Sequence, residues 1–388
     1  MNHRFDEVPS RRETESIKWR FFDEDVLPMW VADMDFYSPE PVIRALRARV
    51  EHGVFGYPDD MPDLQQAIVE RLERLYNWRV TPEDVVLVPG VVTGFNLACH
   101  AYVRPGGGVL MQTPVYPPFL SAPANAGLRR DEMQLTQLAD GSYEIDFDAF
   151  EAAINDQTGM FILCNPHNPV GRVFRQDELA RMAEICLRHN VLICSDEIHC
   201  DLIFDHRHHI PVATLDPEIA RHSITLMAPS KTFNIAGLEC SFAVIPDAGM
   251  RKQYQQARQG MVGGVNLMGL VAGLAAYRYG QPWLDSLLAY LQANRDWLYD
   301  AVHSRMPGVQ MGRPEGTYLA WLDFRAAGLP GCPQEFFLKE GRVGLNDGAT
   351  FGKGGEGFVR LNFGCPRSML EETVERLCAA MERLGVSG

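Results

Sequence analysis

Five polar residues, Thr93, Tyr116, Asn168, Asp196 and Lys231, each stand just after an apolar run, and their types suit the handling of an amine and an aldehyde. Lys231 lies in "MAPSKTFNIAGL" (227–238), directly past "SITLMA". Burial penalises a charged ammonium. Lys231 is therefore either an ordinary solvated lysine in a turn or a partly desolvated, neutral nucleophile able to condense with an aldehyde. Asp196 ends "VLICSD". A carboxylate there needs a cationic partner, which a protonated pyridine would provide; a helix cap or a structural salt bridge would also account for it. His199, three residues on, fits a ligand contact or a core histidine.

Four more places complete the set. In "PGVVTGFN", Gly90, Val92, Thr93 and Gly94 stand where a strand passes into a helix, and free N–H groups at a helix start bind phosphate. Many helices begin this way without a ligand. Tyr116, in "TPVYPPF", fits a ring stacked on a planar cofactor as readily as packing. "CNPHNPVGRVF" carries two Asn-Pro steps. Each proline biases the asparagine before it away from helix, so Asn168 either bonds a ligand oxygen or serves the turn. Arg360, in "GFVRLNFG", is an arginine inside an apolar strand; it needs an anion, either a structural carboxylate or that of a substrate. Together these residues provide an amine for an aldehyde, an acid for a pyridinium, a ring for stacking, amides for a phosphate and an arginine for a carboxylate. That is the equipment for pyridoxal 5'-phosphate, an electron sink for amino acids.

The elements that must position these groups alternate. Residues 61–76 place Leu64, Ile68, Leu72 and Leu75 on one helical face. Strands are expected in 84–90, 107–119, 159–171, 191–199, 223–233 and 240–246, with helices over 92–103 and 176–190. The strands are continuously apolar, which predicts an α/β fold with a mostly parallel sheet covered on both faces. Ligands collect at the carboxyl ends of such strands, where the polar residues fall. Past residue 283 a long helix, "GTYLAWLDF", a Gly-rich stretch and a terminal helix predict a smaller α+β domain. The expected division is 1–48 with the small domain, 49–283 as the large cofactor-binding domain and 284–388 as the rest of the small domain.

The 388 residues carry 36 Lys plus Arg against 50 Asp plus Glu, a formal net charge of -14. That balance opposes non-specific binding to nucleic acid or anionic membranes. The polar N-terminus and the lack of a long apolar run predict a cytoplasmic protein without signal peptide or membrane span. The nine scattered cysteines read as reduced core thiols, and their spacing opposes a zinc site. "DHRHHIP" (205–211) reads as a solvated loop rather than a metal site, and "GKGGEG" as a hairpin or substrate-side loop, since it lacks P-loop spacing.

"NPHNPVGRVF", "SDEIHCDLIF", "APSKTFNIAGL" and "RLNFGCPR" resemble the fold-type I, class I/II aminotransferase family of pyridoxal-phosphate enzymes over nearly the whole chain. "LPMWVADMDF", "GVFGYPD" and "SDEIHCDL" are similar to its cystathionine β-lyase/C–S lyase branch. The resemblance implies that Lys231 carries the cofactor as a Schiff base and that Asp196 pairs with its ring nitrogen. It places Asn168 on the phenolic oxygen, His199 where many relatives have a tyrosine for that oxygen, and Tyr116 on the ring. Val92, Thr93 and Ser230 would hold the phosphate, and Arg360 the substrate α-carboxylate. Tyr57 would reach the phosphate of a neighbouring subunit, which implies a homodimer with shared sites.

One position departs from the aminotransferase pattern. Eight residues after the lysine, where many aminotransferases have a phosphate-binding arginine, stands Glu239. The expected reaction is β-elimination from cystathionine or another amino-acid thioether, giving pyruvate, ammonia and a thiol. Transamination is the alternative, and a regulatory binding protein on the same scaffold a more distant one.

Overall fold

In the computed structural model the described residues are 3–59 and 61–385. A seven-stranded sheet forms the larger body: β1 (Val85–Val88), β2 (Gly108–Thr113), β3 (Arg129–Gln134), β4 (Thr158–Cys164), β5 (Leu192–Asp196), β6 (Ser223–Met227) and β7 (Ser241–Val244). Their spatial order is β1-β7-β6-β5-β4-β2-β3. β7 runs antiparallel to β1 and β6, and every other pairing is parallel. The continuous apolar runs follow from this burial, because alternate residues of one strand enter two different cores. Val109 and Met111 of β2 pack with Phe95 and Phe119, while Leu110 between them packs with Phe174 and Met182 on the opposite face.

Among the helices that frame the sheet and the site are α1 (Glu40–His52), α2 (Pro62–Tyr76), α3 (Val91–Tyr102), α4 (Pro117–Asn125), α5 (Gln176–Arg188), α6 (Pro229–Thr232), α7 (Leu267–Tyr279), α8 (Gln281–Arg305) and α9 (Arg367–Arg383). In α2, Leu64, Ile68 and Leu72 are buried as expected, but Leu75 is exposed. The helix stops one residue later, where Asn77 takes a left-handed conformation at φ 50°. The Trp78 N–H then turns back onto the Leu72 carbonyl, so Trp78 joins that core in place of Leu75.

A second, antiparallel sheet comprises β8 (Gln310–Met311), β9 (Leu319–Asp323), β10 (Asn346–Asp347) and β11 (Phe358–Asn362), in the order β8-β9-β11-β10. "GKGGEG" lies in the connection from β10 to β11. The N-terminal segment joins this part of the chain: Leu27–Pro28 pairs in parallel with Val343–Gly344, and the Asp35 N–H donates to the Gly364 carbonyl. Among the described residues no helix is long and apolar enough to cross a membrane.

Candidate active site

A cavity of about 360 Å³ opens at the carboxyl ends of the parallel strands and gathers Val92, Thr93, Tyr116, Asn168, Asp196, His199, Ser230 and Lys231. Each is delivered by the end of an apolar strand. β1 passes through Gly90, at φ 88°, into α3, a turn that a residue with a Cβ adopts only with strain. The first N–H groups of α3 have no acceptor within the helix, and no side chain caps them. Ser230 and Lys231 lie in α6, the single turn after β6. Val92, Thr93 and Ser230 line the same cavity, and free amides at a helix start are suited to an anion. Glu239 also lines the cavity.

Asp196, also lining the cavity, is buried as the last residue of β5. It accepts a hydrogen bond from the Ile198 N–H at 3.1 Å. Burial, reinforced by Glu197, pushes its pKa up to about 7, against the pull of the Ile198 amide and Lys231. A carboxylate so placed gains from any cation brought to it. Lys231 Nζ donates to the Ala32 carbonyl at 2.6 Å. Burial, with help from Arg360, lowers its pKa to about 8, while Asp33 and Asp196 oppose the shift. A neutral, nucleophilic amine is thus within reach near neutral pH. Burial holds the His199 pKa down at about 3, so its ring is neutral, and its Nδ1 is buried without a partner. Asn168 and Tyr116 are tied together by the Tyr116 N–H on the Asn168 carbonyl at 3.1 Å.

A larger chamber of about 870 Å³ adjoins this cavity and shares Ala32, Tyr116, Lys231 and Ala236 with it. Arg360 lines the chamber from β11. It is 4% exposed and donates to the Asn168 Oδ1 at 3.0 Å, the Trp30 carbonyl at 3.0 Å and the Asn346 Oδ1 at 2.7 Å. Its Nε is buried without a partner. Among the described residues no carboxylate pairs with it, and burial lowers its pKa to about 10. Its guanidinium also lies over the Phe351 ring, 5.0 Å from the centroid; a buried cation whose partners are all neutral is suited to receive an external anion.

Tyr57 alone of the expected site residues lies outside both cavities, fully exposed. Three contributors were not marked as site residues from the sequence. The Ala32 carbonyl holds Lys231 and also accepts from the Tyr318 hydroxyl at 2.8 Å. Asn346 faces Arg360 across the β10–β11 pair. Asn234 bonds the Met34 and Phe36 carbonyls and the Met34 N–H, fastening the 32–36 segment to the turn that bears Lys231. It falls in the "SKTFN" stretch already marked for its lysine, but its left-handed φ of 54° shows only in the structure.

The fit to pyridoxal phosphate is therefore complete in kind: an amine, an acid, a stacking ring, an amide cradle and an unpaired arginine line one connected space. Residues 24–377 match the family described as aminotransferase class I and II. The chain belongs to that family. Within it, the chain is 41% identical to the cystathionine beta-lyase PatB of Bacillus subtilis, over 97% of this chain and 99% of the relative. The fold is shared with a PLP-bound putative aminotransferase from Clostridium difficile 630, at 40% identity and a TM-score of 0.94, covering 98% of this chain and 100% of the other. It is shared too with a PLP-bound C–S lyase from Staphylococcus hominis, at 32% identity and a TM-score of 0.92, covering 98% and 99%. The fold-type I architecture of the family is the one described above, a mostly parallel sheet with its site at the strand ends.

Proposed function

We infer that this protein is a pyridoxal 5'-phosphate-dependent C–S β-lyase that cleaves cystathionine or a related cysteine S-conjugate to pyruvate, ammonia and a thiol. The observation that carries the reading is the pairing, in one connected space, of a neutralisable Lys231 with an Arg360 that lacks an anion. The full-length likeness to a cystathionine β-lyase gives that pairing its reaction.

When bound, the cofactor supplies an electron sink for the pair left on Cα as its proton departs. The residues do the rest. Arg360 offers its guanidinium to the α-carboxylate, and the Asn168 Oδ1 that it already contacts holds its fork in place. The α3 amides, with Val92 and Thr93, and the Ser230 hydroxyl would hold the phosphate. Tyr116 would cover the ring. Asn168 and His199 would meet the phenolic oxygen. Asp196 would hold a proton at the ring nitrogen, because a neighbouring carboxylate favours the cation. Lys231 Nζ, relieved of its own proton near pH 8 by burial, takes the Cα proton as general base. The C–S bond then breaks with the electron pair leaving on sulfur, and the enamine product hydrolyses to pyruvate and ammonia.

The active unit in this reading is a cytoplasmic homodimer with shared sites. Val50, Val54, Phe55 and Tyr57 are all exposed in the chain by itself, and an apolar strip of this kind suits a partner subunit whose phosphate site receives Tyr57. The test is incubation with cystathionine in the absence of any keto acid. Pyruvate and a thiol are expected in equal amounts, and Lys231→Ala should release neither. Turnover that appears only after an acceptor keto acid is added would make the protein an aminotransferase instead.

A further inference from the structure

Glu197, the residue after Asp196, does not line the cavity and has no part in the chemistry above. Its carboxylate is completely enclosed. Three donors converge on it: the Ser195 hydroxyl at 2.8 Å and the Val212 N–H at 3.1 Å on Oε1, and His209 Nε2 at 2.6 Å on Oε2. Three donors on one carboxyl match its capacity as an acceptor. His209 is buried too, although its neighbours His206, Arg207 and His208 are exposed. The expected solvated loop therefore holds for those three residues and fails for His209, which Glu197 draws inward. The ring must carry its hydrogen on Nε2 to serve Glu197. Its Nδ1 is buried without a partner, and a proton there would be a buried donor with no acceptor. His209 Nε2 is thus the side-chain nitrogen set against Glu197. Among the described residues no lysine or arginine pairs with Glu197.

An enclosed carboxylate is costly to keep, and this one directly follows Asp196, the acid assigned to the cofactor ring. We propose that Glu197 is a positioning residue for the cofactor: bound by Ser195, Val212 and His209, its carboxylate lends a second negative charge beside Asp196 and so keeps the proton on the ring nitrogen. The inference rests on the cofactor reading above, but not on whether a C–S bond is cleaved.

The other groups around the pair are accounted for. Asp196 is faced by Glu197 and Lys231, with Cys164, Cys194 and Tyr116 within electrostatic reach. Burial pushes those thiols and the Tyr116 phenol upward, which keeps them neutral at ordinary pH. Glu197 acts on Cys200, whose thiol burial also raises. The edge of the Tyr76 ring packs on His209, and burial raises that phenol as well. Lys231 is spent on the cofactor in the holoenzyme, so Glu197 is left as the charge that moves Asp196.

The test uses resting holoenzyme loaded with ring-15N pyridoxal phosphate and no substrate. The nitrogen chemical shift is followed against pH, and the cofactor dissociation constant is measured alongside. In Glu197→Gln the ring nitrogen should lose its proton roughly one pH unit lower than in the wild type, with cofactor binding about tenfold weaker. His209→Gln retains an N–H donor for Glu197 and should match the wild type in both readouts. His209→Leu takes that donor away from Glu197 and should move the nitrogen titration in the same direction as Glu197→Gln. A Glu197→Gln protein that melts earlier but keeps the wild-type nitrogen titration would reduce Glu197 to a structural role and overturn the proposal. If Glu197→Gln does not fold, the two His209 variants decide: identical titrations in both would overturn it equally. Because no substrate is present, a failure of the lyase reading would leave these results untouched.

Discussion

Arg360 is the residue whose replacement separates function from architecture. It is nearly inaccessible, and three neutral oxygens surround it where an ion pair would be usual. Two substitutions test its role. Arg360→Lys keeps the charge but loses the planar fork, so one charge-assisted hydrogen bond to the carboxylate goes, worth about 2 kcal/mol. The expected loss in kcat/KM is roughly 30-fold. Arg360→Met removes the cation altogether, a cost of about 3–5 kcal/mol, or on the order of a hundredfold to a few thousandfold. The decisive assay repeats both measurements with a substrate whose α-carboxylate is replaced by a neutral amide. Wild-type activity falls steeply on that substrate, and the two variants should then lie within about threefold of wild type, since the interaction they lack has no partner to miss. Stability is measured separately by denaturant unfolding of the apoprotein. Relief of the buried charge, whose pKa sits near 10 instead of 12.5, returns about 3 kcal/mol to Arg360→Met. The same change strands the Trp30 carbonyl and the Asn168 and Asn346 side-chain oxygens, at about 1–3 kcal/mol each. The second effect is larger, so Arg360→Met should be modestly less stable than wild type. Equal losses in kcat/KM on the carboxylate and amide substrates would refute the anion-receptor argument and leave Arg360 as a structural cross-brace.

Two further predictions concern charge at the two ends of the cofactor cavity. Asp196 has a folded-state pKa raised from 3.8 to about 7, mainly by burial, so its contribution to apoprotein stability is complete below about pH 4 and is lost as pH rises through about 7. Asp196→Asn does not titrate; relative to wild type it should gain up to ~4 kcal/mol between about pH 4 and pH 7.5, read by urea unfolding at both pH values, and parallel curves would show that Asp196 titrates normally. Glu239 lines the same cavity and is largely exposed; its carboxylate opposes a phosphate held by amides. Glu239→Gln should bind pyridoxal phosphate about two- to threefold more tightly at low salt, with the gain shrinking at high salt, and a weaker complex would mean that Glu239 holds the cofactor through a hydrogen bond.

What could be read from the sequence follows a physical rule. A strand buried on both faces must be apolar throughout, so the first polar residue after it marks the sheet edge where ligands gather. Lys231, Asp196, Asn168 and Tyr116 all stand at such edges and all reach one cavity. The contributors that were missed act through groups that residue type does not advertise. Trp30 and Ala32 offer main-chain carbonyls, identical in every residue, and Ala32 meets Lys231 from 199 positions away. Asn346 becomes legible only once β10 is paired with β11, because the register alone brings it opposite Arg360. His209 was hidden by its company: in "DHRHHIP" one buried histidine follows four exposed polar residues, and only the closed carboxylate of Glu197 distinguishes it.

On the proposed assignment, the charges around the cavity would divide by function. Asp196 and Glu197 would put two carboxylates beside the ring nitrogen, while Arg360 and Lys231 would put cations beside the substrate's carboxylate and Cα. Among the described residues the cavity that Val92, Thr93 and Ser230 line has no lysine or arginine besides Lys231, and Glu239 lines it too. Charge would then be spent on the reacting end of the amino acid and on keeping the ring nitrogen protonated. A phosphate cation would tighten the cofactor equally before and during reaction, and uniform binding of that kind does not speed the chemical step. A site built this way can dispense with the arginine eight residues beyond its lysine without losing rate, provided the amide cradle and a partner subunit's hydroxyl hold the phosphate well enough to keep the cofactor in place.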